Sequence, residues 1–347
     1  MSNPFILTFG KEPINYISRL NCFEKVKSDF LDEISSNSIY MITGVRGSGK
    51  TVLLTLLSKE FESRDDWIVV DLNPERDMLN SFLSQLYNSN KVKHLSLSLN
   101  SNISFNGIGV SIGDNKPSSD VETVINKVVK YLHEKKKKIL ISIDDAASND
   151  NIKMFAHTFQ GLLRKGYAVY LLMTGLYENI DSIQNNNTLT FLSRTPKIML
   201  DALNLPSIRD SYKKIFSIDD YTSIEMAKLT SGYAYAYQVL GYLMWNKSEK
   251  MIDDDLLSNY DHYLAEFVYD RLWENISEGE KDFLELVCDN NIISAIAEKL
   301  NKSVKALSTL RSRLIKRGII TSHDRGKIEF ALPRFKEYIE NRKMFDL

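Results

Sequence analysis

Cysteine is nearly absent: the 347 residues hold two, Cys22 and Cys288, far apart and in apolar surroundings. That excludes a disulfide framework or a cysteine-rich metal site, and it predicts two reduced core thiols in a cytoplasmic protein. Long hydrophobic runs are missing too. No stretch approaches the ~18–20 apolar residues of a membrane span, and the first residues lack a charged-then-apolar secretory pattern. Nor does either sign of charge dominate, since 44 basic residues face 45 acidic ones for a net charge of −1. No global field therefore draws the chain to membrane or nucleic acid, and any polyanion site must be local. The length predicts about two or three domains.

What is present is concentrated first in one loop. Gly44, Val45, Arg46, Gly47, Ser48, Gly49, Lys50 and Thr51 form a complete G-x-x-x-x-G-K-[ST] sequence directly behind the apolar run Ile39–Ile42. The run that follows, Val52 to Leu57, has helical character. A buried strand feeding a glycine-rich turn that opens a helix is the context in which this pattern cradles phosphates. Gly47 and Gly49 let backbone N–H groups curl around a phosphate, and the helix N-terminus adds partial positive charge. Lys50 is expected on the β- and γ-phosphates and Thr51 on Mg²⁺. The loop thus predicts a nucleoside triphosphate ligand.

Strands and helices alternate beyond it. Trp67–Leu72, Ile139–Ile143, Ala168–Met173 and Lys197–Leu200 are short apolar runs, separated by helical periodicity over 77–87, 121–134 and roughly 151–165. Strands this uniformly apolar belong to a parallel sheet covered on both faces. Residues 92–112 instead alternate apolar and polar with turn signals, which predicts an inserted β-hairpin or small meander. From 205 the pattern turns helical, and the aromatic cluster Tyr233, Tyr235, Tyr237, Tyr242 and Trp245 reads as packing. The expected domains are an ATPase core over 1–204, a helical lid with a connecting helix over 205–275, and a third unit over 276–347.

Hydrolysis needs acids beside the loop. The run Ile139–Ile143 delivers Asp144 to the magnesium side, and Asp145 next to it is placed to orient and deprotonate water. A glutamate at that position would reach one methylene further, and a ~1 Å misplacement can cost ~100-fold, so slow turnover is expected. Thr174, ending the next strand, is a candidate to face the γ-phosphate, and Arg194 is a candidate arginine for it, from its own or a neighbouring subunit.

Residues 277–343 read as a separate unit of three helices and a hairpin, a winged helix-turn-helix. Its third helix, Val304 to Arg317, carries Lys305, Arg311, Arg313 and Lys316, and its wing carries Arg325 and Lys327. Basic residues so concentrated in a near-neutral chain point to duplex DNA. A module that docks a protein, or self-association, is the alternative.

Asn3-Pro4-Phe5, Thr8-Phe9-Gly10, Gly44–Thr51, Ile143-Asp144-Asp145, Thr230-Ser231-Gly232-Tyr233 with Gln238 and Gly241-Tyr242, and Arg313–Ile315 through Phe330–Pro333 together resemble bacterial AAA+-type ATPases. These are related to the origin-recognition initiators and the STAND switch ATPases. The resemblance implies an α/β P-loop (ASCE) fold with sheet order 5-1-4-3-2, a helical lid and a winged-helix tail. It also implies that Phe9 and Gly10 contact the adenine. Where the initiators' lid presents an arginine after its glycine, this chain has Tyr-Ala-Tyr-Ala-Tyr after Gly232.

Overall fold

The computed structural model describes residues 2–8, 13–32, 36–93, 103–105, 110–112, 121–322, 324 and 326–345. Its backbone divides into two compact units: Leu20–Thr43 with Leu53–Met199, and Met1–Arg19 with Gly44–Val52 and Leu200–Leu347.

The first of these is built on a sheet. Its strands in chain order are β1 (Ile39–Thr43), β2 (Trp67–Leu72), the short pair β3 (Ile103–Phe105) and β4 (Val110–Ile112), then β5 (Lys138–Ile143), β6 (Val169–Gly175) and β7 (Lys197–Met199). The five long-range strands lie in the order β2-β5-β6-β1-β7, all parallel. Counted without the inserted pair, that is the expected 5-1-4-3-2. Central strands β1 and β6 are buried at every position, which is why they read as unbroken apolar runs rather than alternating ones. Helices Met78–Asn88, Val121–Glu134 and Asp150–Arg164 pack Phe82, Val128 and Phe159 into the same core as Ile141 and Leu171. Strands β3 and β4 pair antiparallel with Ile103 opposite Ile112, inside the segment whose alternation predicted a hairpin, while Asn90–Lys93 at its start is helical. Residues 94–102 and the turn signal at 106–107 lie outside the described residues.

The second unit is helical. Leu205–Phe216, Asp220–Thr230 and Ala234–Asn246 are the lid helices, the first two capped by the side chains of Asn204 and Asp219. The connecting helix Asp254–Glu274 contains one π turn, Ala265–Tyr269. Helices Glu278–Asp289, Ile293–Lys299 and Ser308–Lys316 follow, then the two-stranded pair β8 (Ile320–Thr321) and β9 (Glu329–Phe330) and a last helix, Phe335–Phe345. That last helix was not legible as a separate element. The third basic helix is also shorter than the sequence suggested. It begins at Ser308, because Ser303 accepts the Ala306 N–H on its hydroxyl and ties 303–307 into turns, a local competition that hydroxyl residues offer the helix.

Candidate nucleotide site and basic module

The phosphate loop takes its shape from its glycines and from carbonyl capping. Gly47 and Gly49 adopt φ of +76° and +92°, a region open to glycine at little cost. The Ser48 N–H closes a turn onto the Val45 carbonyl at 3.2 Å. Lys50, only 8% exposed, directs its ammonium back over the loop and donates to the carbonyls of Gly44 at 3.0 Å and Val45 at 2.9 Å. The Ser48 hydroxyl is buried with no hydrogen-bond partner. Helix Lys50–Glu62 has no acid in its first turn to offset its dipole; Thr51 there is half-buried. A buried cation, a stranded hydroxyl and an uncompensated helix start are a donor set that suits an anion.

Lid and N-terminal residues hold the same loop. Tyr233 donates its hydroxyl to the Arg46 carbonyl, and the Tyr235 N–H reaches the Gly47 carbonyl at 3.1 Å. Arg19 donates to the Ser48 carbonyl at 3.0 Å and also to that of Asp201. The sequence classed these tyrosines as packing, and burial indeed holds the Tyr233 and Tyr235 phenols above their ordinary range. It gave no sign of the bonds to the loop. Arg46 itself is exposed. Phe9 and Gly10 lie outside the described residues.

The strand-end acids form a second cluster, in the sheet unit. Thr174 is fully buried and donates its hydroxyl to the Asp144 carboxylate, while its oxygen accepts the Asp145 N–H at 3.2 Å. The Ala146 N–H adds a bond to the Thr174 carbonyl at 2.7 Å. These bonds hold the turn after β5 against the end of β6, and they hold Asp145 at φ +55°. Thr174 therefore orients Asp144. Arg194 is exposed at the end of the 3₁₀ turn Thr190–Arg194.

Asp71 joins this cluster unannounced. It pairs in register with Ser142, whose hydroxyl it accepts. Its carboxyl is held above the usual carboxylate range, first by the packing around it and then by the charges of Glu62 and Asp144. The one sequence signal was a lone charge inside the apolar run Trp67–Leu72.

The basic module is less uniformly charged than its sequence. Glu280, 2% exposed, completes a capping box with Ser277 and draws in Arg313 at 3.5 Å and Arg317 at 3.4 Å. Lys299 pairs with Asp289 at 3.2 Å and Lys327 with Asp324 at 3.5 Å. Arg311 is half-buried and donates to the Ser322 hydroxyl at 3.1 Å. Lys316 is exposed on the helix; Lys305 is exposed too but sits in the preceding turns, not on it. Arg325 lies outside the described residues.

Residues 30–188 match the family described as an ATPase domain predominantly from Archaea, and residues 266–339 match a domain of unknown function, DUF8462. No curated protein matches the chain. Among solved structures, the Walker-type ATPase of Pyrococcus abyssi is 15% identical over 93% of this chain and 96% of its own, with a TM-score of 0.66. The ORC2 protein of Aeropyrum pernix, solved in ADPNP and ADP complexes, is 13% identical over 98% and 97%, with a TM-score of 0.58. The chain has the fold of a P-loop ATPase.

Proposed function

We propose that the chain is an ATP-binding switch that hydrolyses ATP slowly and whose C-terminal module is a winged helix docking on duplex DNA. The observation that carries the nucleotide half is the loop itself: positive φ at Gly47 and Gly49, a buried Lys50 and an unpartnered Ser48 hydroxyl. In this reading the loop N–H groups and Lys50 bind the phosphates. A magnesium ion bound with the nucleotide would offset phosphate charge, and Thr51 and Asp144 are proposed as residues that would hold it, each with an oxygen donor of the kind it prefers. Thr174 keeps Asp144 turned, and Asp145 takes the proton of the attacking water. Arg194 is proposed as a charge for the phosphates in its own or a neighbouring subunit.

The test of the nucleotide half is ATP binding by titration in wild type and Lys50→Ala. Binding that survives in the variant would remove the loop from the reading. The DNA half rests on Lys305, Arg313, Lys316 and Lys327, which are exposed, and on the half-buried Arg311. ATP turnover with and without duplex DNA tests whether the two halves act together. Stimulation is expected, and indifference would separate them.

A second reading has one observation in its favour. Lys299, Arg313, Arg317 and Lys327 are already paired with acids, which thins the phosphate footprint and suits a module that docks a protein while ATP is bound but scarcely hydrolysed. Retention on duplex at low salt decides between the two.

A further inference from the structure

Five successive carbonyls of the phosphate loop are held by named donors. Lys50 takes those of Gly44 and Val45. The next three are taken by groups from elsewhere in the chain: Arg46 by the Tyr233 hydroxyl, Gly47 by the Tyr235 N–H, and Ser48 by the Arg19 guanidinium. Across a trans peptide the C=O of one residue and the N–H of the next point in opposite directions. Holding the Arg46 and Ser48 carbonyls therefore fixes where the N–H groups of Gly47 and Gly49 point, and those are donors on which a phosphate cradle depends.

The grip is close. A Cβ on Gly47 would run into the Tyr233 hydroxyl and stand 2.9 Å from the Tyr235 Cβ, so glycine is required there by the tyrosines as well as by its φ of +76°. Tyr233 is itself buried, 5% exposed, and its hydroxyl loses a partner if the Arg46 carbonyl turns away. The tyrosine pair occupies the lid segment right after Gly232, whose own carbonyl accepts the Leu203 N–H at 2.7 Å. The segment is thus anchored behind the loop as well as on it.

We propose that Tyr233, Arg19 and the Tyr235 amide form a clasp that positions the phosphate loop for a nucleoside di- or triphosphate, and that through this clasp the lid reads whether the loop is filled. The inference rests on the nucleotide reading above. Tyr233 and Arg19 are positioning residues: they act on phosphate through the peptide planes they hold. Binding and lid order are then one equilibrium, so a nucleotide that favours the clasped loop must tighten the lid by the same factor.

The experiment uses the full chain as wild type, Tyr233→Phe, Arg19→Gln and Arg19→Lys. It combines titration with a fluorescent ADP and a fluorescent ATP analogue with hydrogen exchange of residues 230–240, free and saturated with ADP. Wild type is expected to bind and to slow exchange at the Tyr235 amide on binding. Tyr233→Phe and Arg19→Gln should each bind about three- to tenfold more weakly, the worth of one hydrogen bond, and lose that nucleotide-dependent slowing. Arg19→Lys should recover part of both, which a merely structural role would not predict. If Tyr233→Phe does not fold, the two Arg19 variants decide the matter. Wild-type affinity and wild-type slowing in the variants would overturn the clasp alone, whereas a wild type that binds no nucleotide overturns the nucleotide reading and the clasp with it.

Discussion

Asp145 holds a left-handed backbone, φ +55°, a region that costs most residues about 1–2 kcal/mol and that Asp and Asn enter more readily. Asp145→Asn therefore removes a charge without forcing the chain. The expected outcome is an unchanged melting temperature, unchanged nucleotide affinity and phosphate release at least ~100-fold slower, the usual loss of a general base. Hydrolysis at the wild-type rate would take Asp145 out of the chemistry. The thiols offer a second check at this scale. Burial pushes Cys288 up to about 12, while Cys22 is half-buried. At pH 8 iodoacetamide should alkylate Cys22 and spare Cys288 until the protein unfolds, because the thiolate is the reactive form; mass spectrometry of the labelled peptides reads the order. Cys22 thus departs from the core position its apolar neighbours suggested. Asp144 and Asp145 were visible from the sequence because a strand end announces itself locally. Asp71 and Tyr233 were not, since strand register and the lid's approach to the loop are set by residues far along the chain.

At the scale of elements, the helix Ser308–Lys316 ends in a motif that a single residue secures. The Gly318 N–H donates to the Ile315 carbonyl at 2.8 Å and the Ile319 N–H to that of Leu314 at 3.0 Å, with Gly318 at φ +72°. This is a Schellman ending. A Cβ on Gly318 would also stand 3.0 Å from a methyl of Val45 in the phosphate loop. Gly318→Ala should cost at least about 1 kcal/mol and lower the melting temperature; calorimetry showing no loss would refute both the cap and the contact. The sheet strands and the helices Met78–Asn88, Val121–Glu134 and Asp150–Arg164 were legible because apolar period and burial coincide. The start of the helix Ser308–Lys316 was not, because the Ser303 hydroxyl competes for a backbone N–H that a periodicity argument assigns to the helix. The ion pairs of the basic module were not legible either, because Glu280 and Asp289 lie well before the basic residues they pair with.

Over the whole molecule, tyrosine burial sets an alkaline limit. Burial is the leading cause that raises Tyr40, Tyr87, Tyr170, Tyr212, Tyr233, Tyr235, Tyr237, Tyr260, Tyr269 and Tyr338, with Tyr237 pushed up to about 12. In the unfolded chain all of them titrate near 10. Because the folded values are the higher ones, the folded state keeps protons that the unfolded state releases. Stability from these groups is therefore complete below about pH 10 and declines as pH rises from there through 12. These raised tyrosines should ionise in a single step that coincides with loss of helical circular dichroism. Phenolate absorbance followed alongside dichroism measures both, and a smooth ionisation of all 17 tyrosines near pH 10 with the helices preserved would mean that these rings are not enclosed as described. Most of that buried set lies in the helical unit that also carries the phosphate loop. The titration is therefore also a test of the packing that seats Tyr233 and Tyr235 on the loop, made without any nucleotide.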